Sequence, residues 1–200
     1  MDINKLKSYY ELKKKEIKER LIEFSKNKDY FYELCFCLLT PQSNAKKCYE
    51  CIQILKKKDF LNKKLSIKKY LRAKTRFYRN KSNYLVQYKK NHYEIKNKII
   101  KIKNPKQLRD YLVENIKGIG YKEASHFLRN IGYKNLAILD RHILKNLKDL
   151  KIIKDIPKPL NKNKYIKIEK KLYNFSKKIN IPMDELDLLF WSIETGEVFR

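Results

Sequence analysis

The stretch Ile116-Lys117-Gly118-Ile119-Gly120-Tyr121-Lys122 decides the fold, because it places two closely spaced glycines between two apolar helical patterns. Apolar side chains recur at helical spacing before it, at positions 108, 111, 112 and 116, and after it, at positions 124, 127, 128 and 131. Glycine adopts positive φ without steric cost, which suits a tight turn. The sequence therefore predicts a helix, a tight turn and a second helix.

A turn of this kind can bind a phosphate group. Backbone N–H groups at Gly118 and Gly120 can approach an anion closely, and the dipole of the following helix favours negative charge at its N-terminus. A G-x-G turn also occurs at ordinary helix junctions, so the turn alone leaves a purely structural role open. We take Lys117, Gly118 and Gly120 as candidate contacts to phosphate groups.

Two chemically competent side chains follow the turn. Lys122 lies in the first turn of the second helix, and Asp140, eighteen residues later, opens another predicted helix. A lysine amine can attack carbon and form a Schiff base, and a carboxylate can stabilise positive charge that develops beside it. The alternatives are a solvated lysine and an ordinary N-cap aspartate. The pairing at this spacing favours a catalytic role for both residues.

The remainder of the chain predicts an all-α fold. It contains only four glycines and five prolines, and alternating apolar and polar residues are scarce. Helical periodicity and capping residues predict helices over residues 2–26, 28–39, 43–57, 63–73, 77–103, 105–115, 121–131, 140–150, 161–178 and 182–195.

The charge balance indicates a polyanionic partner. Lysine and arginine total 49 against 22 acidic residues, a net charge of +27. A compositional bias toward lysine, isoleucine, asparagine and tyrosine is the alternative, but it does not explain the deficit of acids. The chain has no uninterrupted apolar run of about 18 residues, so no membrane partner is expected. We expect a soluble, cytoplasmic, nucleoid-associated monomer.

The four cysteines suggest core packing and not a metal centre. Cys48 and Cys51 have C-x-x-C spacing, but helical stripes place them and Cys35 on core faces. Buried thiols are therefore favoured over a metal site, and no metal is predicted. The C-terminal region has no cysteine, which excludes an iron–sulfur cluster there.

The hairpin stretch, together with Leu139-Asp140-Arg141-His142, resembles the helix-hairpin-helix and aspartate loop of the DNA glycosylases that include endonuclease III. Residues 33–40, 76–79, 120–132, 140–144 and 185–200 resemble one branch in particular, the second, mainly archaeal class of 8-oxoguanine DNA glycosylase/AP lyases. The similarity spans nearly the whole chain. Two features depart from the family: Arg200 stands where relatives end in lysine, and the Asp140 loop lacks the usual glycine and proline.

The resemblance implies a two-lobed helical fold with a DNA cleft between the lobes. One lobe would comprise about residues 28–135, including the hairpin at 116–122, and the other residues 1–27 and 136–200. A damaged nucleotide would be flipped out of duplex DNA containing 8-oxoguanine. Lys122 would attack C1′ and form a Schiff base. Asp140 would stabilise the developing sugar cation and help proton transfer, and β-elimination would cut the strand.

The resemblance also suggests which residues grip the DNA. Gln42 would fill the gap left by the flipped base, although it could equally be a polar loop residue. Phe77 would act as a wedge beside the orphaned base, with a core position as the alternative. Arg141 and His142, at a predicted helix N-terminus, are candidate phosphate ligands.

Base recognition is assigned to the C-terminal region. Asp187 and Trp191 are i, i+4 neighbours off the apolar stripe of the last helix, so we expect an exposed indole beside a carboxylate. A tryptophan packed against the first helix is the alternative. Gly196 should end the helix with positive φ and turn the tail back, which would bring Arg200 and its terminal carboxylate near this pair.

Two other functions stay open at this point. An endonuclease III-like enzyme for oxidised pyrimidines would use the same lysine and aspartate. A non-catalytic DNA-binding module would use only the hairpin, and would need no amine at position 122. No cofactor is predicted, and the sequence leaves open whether a monovalent cation binds at the hairpin.

Overall fold

The computed structural model describes residues 2–200, and within that range its regular secondary structure is all helical, with no β-strand. Its helices are α1 (Ile3–Lys26), α2 (Tyr30–Leu39), α3 (Ala45–Lys57), α4 (Lys68–Leu71), α5 (Tyr78–Lys101), α6 (Pro105–Asn115), α7 (Tyr121–Asn130), α8 (Arg141–Asp149), α9 (Lys162–Ile179) and α10 (Met183–Thr195). The predicted all-α class is confirmed, and each predicted helix is present.

The fourth helix is much shorter than predicted. It covers Lys68–Leu71 instead of residues 63–73, and turns flank it on both sides. Within residues 61–73 only Ile67 and Leu71 are buried, one helical turn apart. Apolar contact therefore stabilises a single turn, and the lysine-rich flanks have no core face that would extend the helix.

One compact unit, Lys28–Phe127, contains α2 to α6 and most of α7. Helix α2 is its central element: every residue from Phe31 to Leu39 is buried, and α3 and α5 pack on it. All four cysteines lie in this unit, where they are buried and form no disulfide bond. Cys37, which the periodicity left off the core face, is buried too, because α2 is enclosed on more than one side.

The second unit joins Met1–Asn27 to Leu128–Arg200. Helix α10 is its centre and packs against α1, α8 and α9. The buried hydroxyl of Tyr10 donates a hydrogen bond to Glu185, which ties α1 to α10. Gly132 lies so close to the backbone of Ser25 that a Cβ would stand 2.7 Å from its Cα. None of the helices in residues 2–200 combines the length and apolarity needed to cross a bilayer.

Candidate active site

The turn between α6 and α7 has the conformation that its glycines predict. Gly118 has φ 92° and lies against the ring of Tyr84 on α5, where a Cβ would come within 2.4 Å of Cδ2. The space and the backbone angle both require glycine. The Gly118 N–H donates no hydrogen bond within residues 2–200, so it can donate to an anion.

Gly120 differs from that expectation. Its N–H already donates to Oε2 of Glu123 at 3.2 Å, as a helix-capping side chain at the third position of a helix does. Both glycine amides were expected to bind an anion, but in this conformation the Gly120 amide is already used and the Gly118 amide is the available one. Glu123 was missed by the sequence analysis, although its place three residues after Gly120 is a capping signal.

Lys122 lies in the first turn of α7 with a half-buried side chain, and its Nζ is 3.5 Å from Oε1 of Glu123. The helix that carries it is fixed to α6 from within the unit. The fully buried Arg109 donates to Oγ of Ser125 at 3.1 Å. The hydroxyl of Tyr121 donates to Asp110 at 2.5 Å. The two helices of the hairpin are thus cross-linked by polar contacts on both sides of the lysine.

Asp140 is the N-cap of α8, and its Oδ1 accepts a hydrogen bond from the backbone N–H of Ile143 at 2.8 Å. Its other carboxylate oxygen accepts no hydrogen bond from any residue in 2–200. Because this hydrogen bond uses one oxygen, the second oxygen is available to a substrate.

Three side chains hold the non-helical segment that leads to Asp140. The backbone N–H groups of residues 135, 137 and 139 donate to Asp184 at 3.1 Å, Glu169 at 2.8 Å and Tyr165 at 3.3 Å. The Tyr165 hydroxyl also donates to the carbonyl of residue 137 at 2.5 Å. Amides enclosed by a fold need acceptors, and these side chains from α9 and α10 supply them for this segment.

Burial raises the pKa of Asp184 to about 6, although the N–H of Asn135 and the charge of Arg129 oppose the shift. Nothing in the sequence distinguishes Asp184, Glu169 and Tyr165 from surface residues, because their partners are backbone amides distant in the chain. The missing glycine and proline were the only signal that the segment needed other support.

Gln42 and Phe77, the two candidates for entering the duplex, share an uncommon backbone conformation. Their φ angles are 53° and 56°, in the left-handed region that residues other than glycine seldom adopt. Both side chains are exposed, and the Phe77 ring is 54% accessible. The alternative of a core position for Phe77 is wrong. Arg76 lies with its guanidinium 5.4 Å from the centre of that ring.

A buried lysine lies beneath these two residues. Lys81 is only 4% exposed, and its Nζ donates to oxygens of residues 39, 41, 43 and 75 at 2.7–3.0 Å. Burial lowers the pKa of Lys81 to about 8, and repulsion from Lys122 acts in the same direction. The sequence analysis missed Lys81, because a chain with so many lysines gives no sign of which one is buried.

The predicted base-recognition pair is less open than expected. Trp191 is half-buried, with its ring edge against His142 at 5.9 Å between centroids. Its indole Nε1 is buried and has no hydrogen-bond partner in residues 2–200. Asp187 lies 3.4 Å from Nη1 of the buried Arg129. The expected exposed indole is wrong, because α10 is buried on most of its circumference and His142 from α8 contacts the Trp191 ring.

The tail turns back as Gly196 predicts. Gly196 caps α10 with φ 82°, its N–H donates to Ser192 O at 2.8 Å, and Val198 is buried. The guanidinium of Arg200 lies 5.8 Å from the centre of the Phe24 ring. Arg129 contacts the same ring at 4.9 Å. The C-terminus is therefore packed on α1, in the unit that also contains Asp187.

The remaining phosphate candidates differ in their surroundings. Lys117 and Arg141 are exposed, as contacts to a DNA backbone require. Nδ1 of His142 instead faces Glu194 at 3.6 Å. A neighbouring carboxylate competes with a phosphate for this side chain, so His142 is the weaker candidate.

Comparisons with known proteins agree with this geometry. A family model for 8-oxoguanine DNA glycosylase matches residues 11–181. The chain is 41% identical to an 8-oxoguanine DNA glycosylase/AP lyase of Fusobacterium nucleatum, over 98% of this chain and 97% of the relative. It is 40% identical to the enzyme of that name from Methanocaldococcus jannaschii, over 98% of this chain and 99% of the relative.

Solved structures give the same result. The crystal structure of the Methanocaldococcus jannaschii 8-oxoguanine glycosylase/lyase in complex with a 15mer DNA containing 8-oxoguanine has a TM-score of 0.89 and 39% identity, covering 98% of this chain and 99% of that one. The 8-oxoguanine DNA glycosylase of Thermotoga maritima has a TM-score of 0.90 and 32% identity, covering 99% and 98%.

Proposed function

The chain belongs to the 8-oxoguanine DNA glycosylase family, and from this membership we propose that it excises 8-oxoguanine from duplex DNA and cleaves the strand at the resulting abasic site. The observation that carries the proposal is the position of Lys122. Its amine follows a glycine turn whose Gly118 amide is available to a phosphate, on a helix that buried polar contacts hold in place.

Binding would begin with the DNA backbone. The net charge of +27 attracts the polyanion, and released counterions supply affinity that does not depend on sequence. Lys117, the Gly118 amide and Arg141 are proposed phosphate contacts. Gln42 and Phe77 would enter the base stack, where the aromatic ring wedges beside the orphaned base and the amide fills the gap.

The covalent chemistry is assigned to Lys122. Its neutral amine attacks C1′ of the flipped nucleotide, the glycosidic bond breaks, and the base leaves with the bonding electron pair and takes a proton. Loss of the amine proton and opening of the sugar ring give a Schiff base between Nζ and C1′. Removal of a proton from C2′ then expels the 3′ phosphate by β-elimination, and water releases the lysine.

Asp140 is proposed to stabilise the positive charge of the transition state and to help proton transfer. While the base departs, positive charge develops on the sugar, and a fixed carboxylate stabilises it. The N-cap hydrogen bond to Ile143 orients that carboxylate before the substrate arrives. The contacts that Asp184, Glu169 and Tyr165 make with the preceding segment keep the cap in place.

Base recognition is proposed for the C-terminal region. 8-Oxoguanine carries a hydrogen on N7, where guanine has a lone pair, so an acceptor aimed at N7 favours the lesion. A backbone carbonyl in the tail around Arg200 would supply that acceptor, with Trp191 stacking on the ring. Asp187 is paired with Arg129, so accepting from the base requires that it share this contact.

No step in this scheme needs a cofactor, and none of the residue roles assigned above depends on a monovalent cation at the hairpin. One chain supplies every residue assigned above, so we propose that a monomer acts on DNA. A repair enzyme works where the chromosome is, which in a cell without a nucleus is the nucleoid in the cytoplasm.

The substrate assignment is tested with matched duplexes carrying 8-oxoguanine, an oxidised pyrimidine or only normal bases. We expect single-turnover excision of 8-oxoguanine alone. Excision of the oxidised pyrimidine in its place would assign an endonuclease III-like activity. Binding to all three duplexes without excision would leave a DNA-binding module.

The recognition role of the tail is tested by deleting Val198, Phe199 and Arg200. Excision of 8-oxoguanine should fall sharply, while cleavage at a preformed abasic site continues, because that substrate has no base to recognise. Because Val198 is buried, the melting temperature is the control. Equal loss of both activities would show that the tail only supports the fold.

A further inference from the structure

Lys81 connects two loops that are far apart in sequence. Three of its four acceptors lie in residues 39–43: Leu39 O at 2.8 Å, Pro41 O at 2.7 Å and Ser43 Oγ at 3.0 Å. The fourth, Thr75 Oγ1 at 2.8 Å, lies in the loop before α5. The ammonium group therefore holds both loops from inside the unit.

The same two loops are joined by hydroxyl groups around the lysine. Ser43 Oγ and Thr75 Oγ1 lie 2.9 Å apart, and the backbone N–H of Arg76 donates to Ser43 Oγ at 3.0 Å. Thr75 also bonds Leu39 O at 2.8 Å. Leu39 O, Ser43 Oγ and Thr75 Oγ1 also accept hydrogen bonds from Lys81. Arg76 directly follows Thr75 in the chain, so all of these contacts form one network.

The network fixes the two residues proposed to enter the duplex. Gln42 lies between Pro41 and Ser43, and Phe77 directly follows Arg76. Both have left-handed backbone angles, which persist only where the surrounding structure holds them. Both side chains are exposed, so the loop backbone and not core packing of these side chains sets the two conformations.

We propose that Lys81 is a positioning residue that joins the Gln42 and Phe77 loops into one rigid wedge, so that both side chains enter the base stack together. This inference rests on the proposed function, in which these two residues open the duplex. Because both loops are already held in the inserting conformation, DNA binding does not have to order each loop separately, and the entropic cost of binding is lower.

The groups around Lys81 indicate a positioning role and not a catalytic one. Its hydrogen bonds go to carbonyl and hydroxyl oxygens, none of them a carboxylate. Cys48, Lys122, Glu123 and Arg76 are the ionisable groups that act on it electrostatically. A buried cation that bonds only neutral oxygens costs solvation, which argues for a role that an apolar side chain would not perform.

The test uses Lys81→Met, which keeps the length of the side chain and removes its donors. The matched control is Lys96→Met, which removes the same charge from an exposed position on the same helix. Two activities are compared: single-turnover excision of 8-oxoguanine from a duplex, and β-elimination at an abasic site in single-stranded DNA. A 2-aminopurine base beside the lesion reports base-pair opening by fluorescence.

We expect Lys81→Met to slow duplex excision about tenfold to hundredfold and to lose the 2-aminopurine signal, while it cleaves the single strand at the wild-type rate. Lys96→Met should match the wild type in both activities. Adding Lys81→Met to a variant that already carries Gln42→Ala and Phe77→Ala should have little further effect, because the wedge is already absent.

Two results would overturn the inference. One is unchanged duplex opening in Lys81→Met, and the other is an equal loss of both activities, which a merely structural lysine would give. If Lys81→Met does not fold, Ser43→Ala provides the same comparison, since it removes the Ser43 contacts with Lys81, Arg76 and Thr75 while the lysine and its other three acceptors remain. An inactive wild-type enzyme would refute the proposed function but not the inference, because the fluorescence signal requires no excision.

Discussion

Replacing Asp140 by asparagine separates its negative charge from its helix cap. Asparagine caps helices as well as aspartate does, so the 2.8 Å hydrogen bond from Ile143 survives. The lost charge is larger in effect: two unit charges about 4 Å apart at an effective dielectric constant of about 20 interact by about 4 kcal/mol. At about 1.4 kcal/mol for each tenfold, excision should slow about a thousandfold.

Asp140→Ala is the companion variant, because it removes the charge and the cap together. Loss of the cap should cost about 1 kcal/mol of stability and lower the melting temperature by about 2–4 °C. The assay is single-turnover excision at saturating enzyme, paired with thermal unfolding. Near-normal excision by Asp140→Asn would refute the electrostatic role and leave Asp140 as a cap alone.

Three further predictions follow from the same geometry. Gly118→Val should weaken binding to lesion and undamaged DNA alike, since its Cβ would stand 2.4 Å from Tyr84; a loss confined to lesion DNA would contradict this. Raising the salt concentration from about 50 to about 200 mM should weaken DNA binding steeply. A binding constant that does not change with salt concentration would exclude contacts to the DNA phosphates. Because the pKa of Asp184 is raised from 3.8 to about 6, the free energy of unfolding should fall by up to about 3 kcal/mol as pH rises through that interval. Asp184→Asn, followed by thermal unfolding at each pH, should remove that slope.

The sequence predicted the features that depend on local chemistry. The hairpin needs positive φ at Gly118, the cap of α8 needs a short acceptor at Asp140, and α6 begins at Pro105 as predicted. Helical periodicity gave the all-α class for the same reason, because it follows from neighbouring residues alone.

The sequence could not predict features that depend on distant partners. The burial of Lys81 follows from carbonyls at residues 39 and 41, and that of Asp184 from an amide at residue 135. The half-burial of Trp191 depends on His142 from another helix. None of these contacts has a local pattern, so the residues that support the candidate site emerged only from the structure.

The central claim is that Lys122 forms the covalent bond to DNA, and borohydride trapping tests it most directly. Borohydride reduces a Schiff base to a stable amine, so wild-type protein incubated with 8-oxoguanine duplex should give a cross-linked band. Lys122→Gln should give none while still binding the duplex, because the surrounding positive charge supplies most of the affinity. A cross-link of normal yield in Lys122→Gln would contradict the account and assign the reaction to another amine.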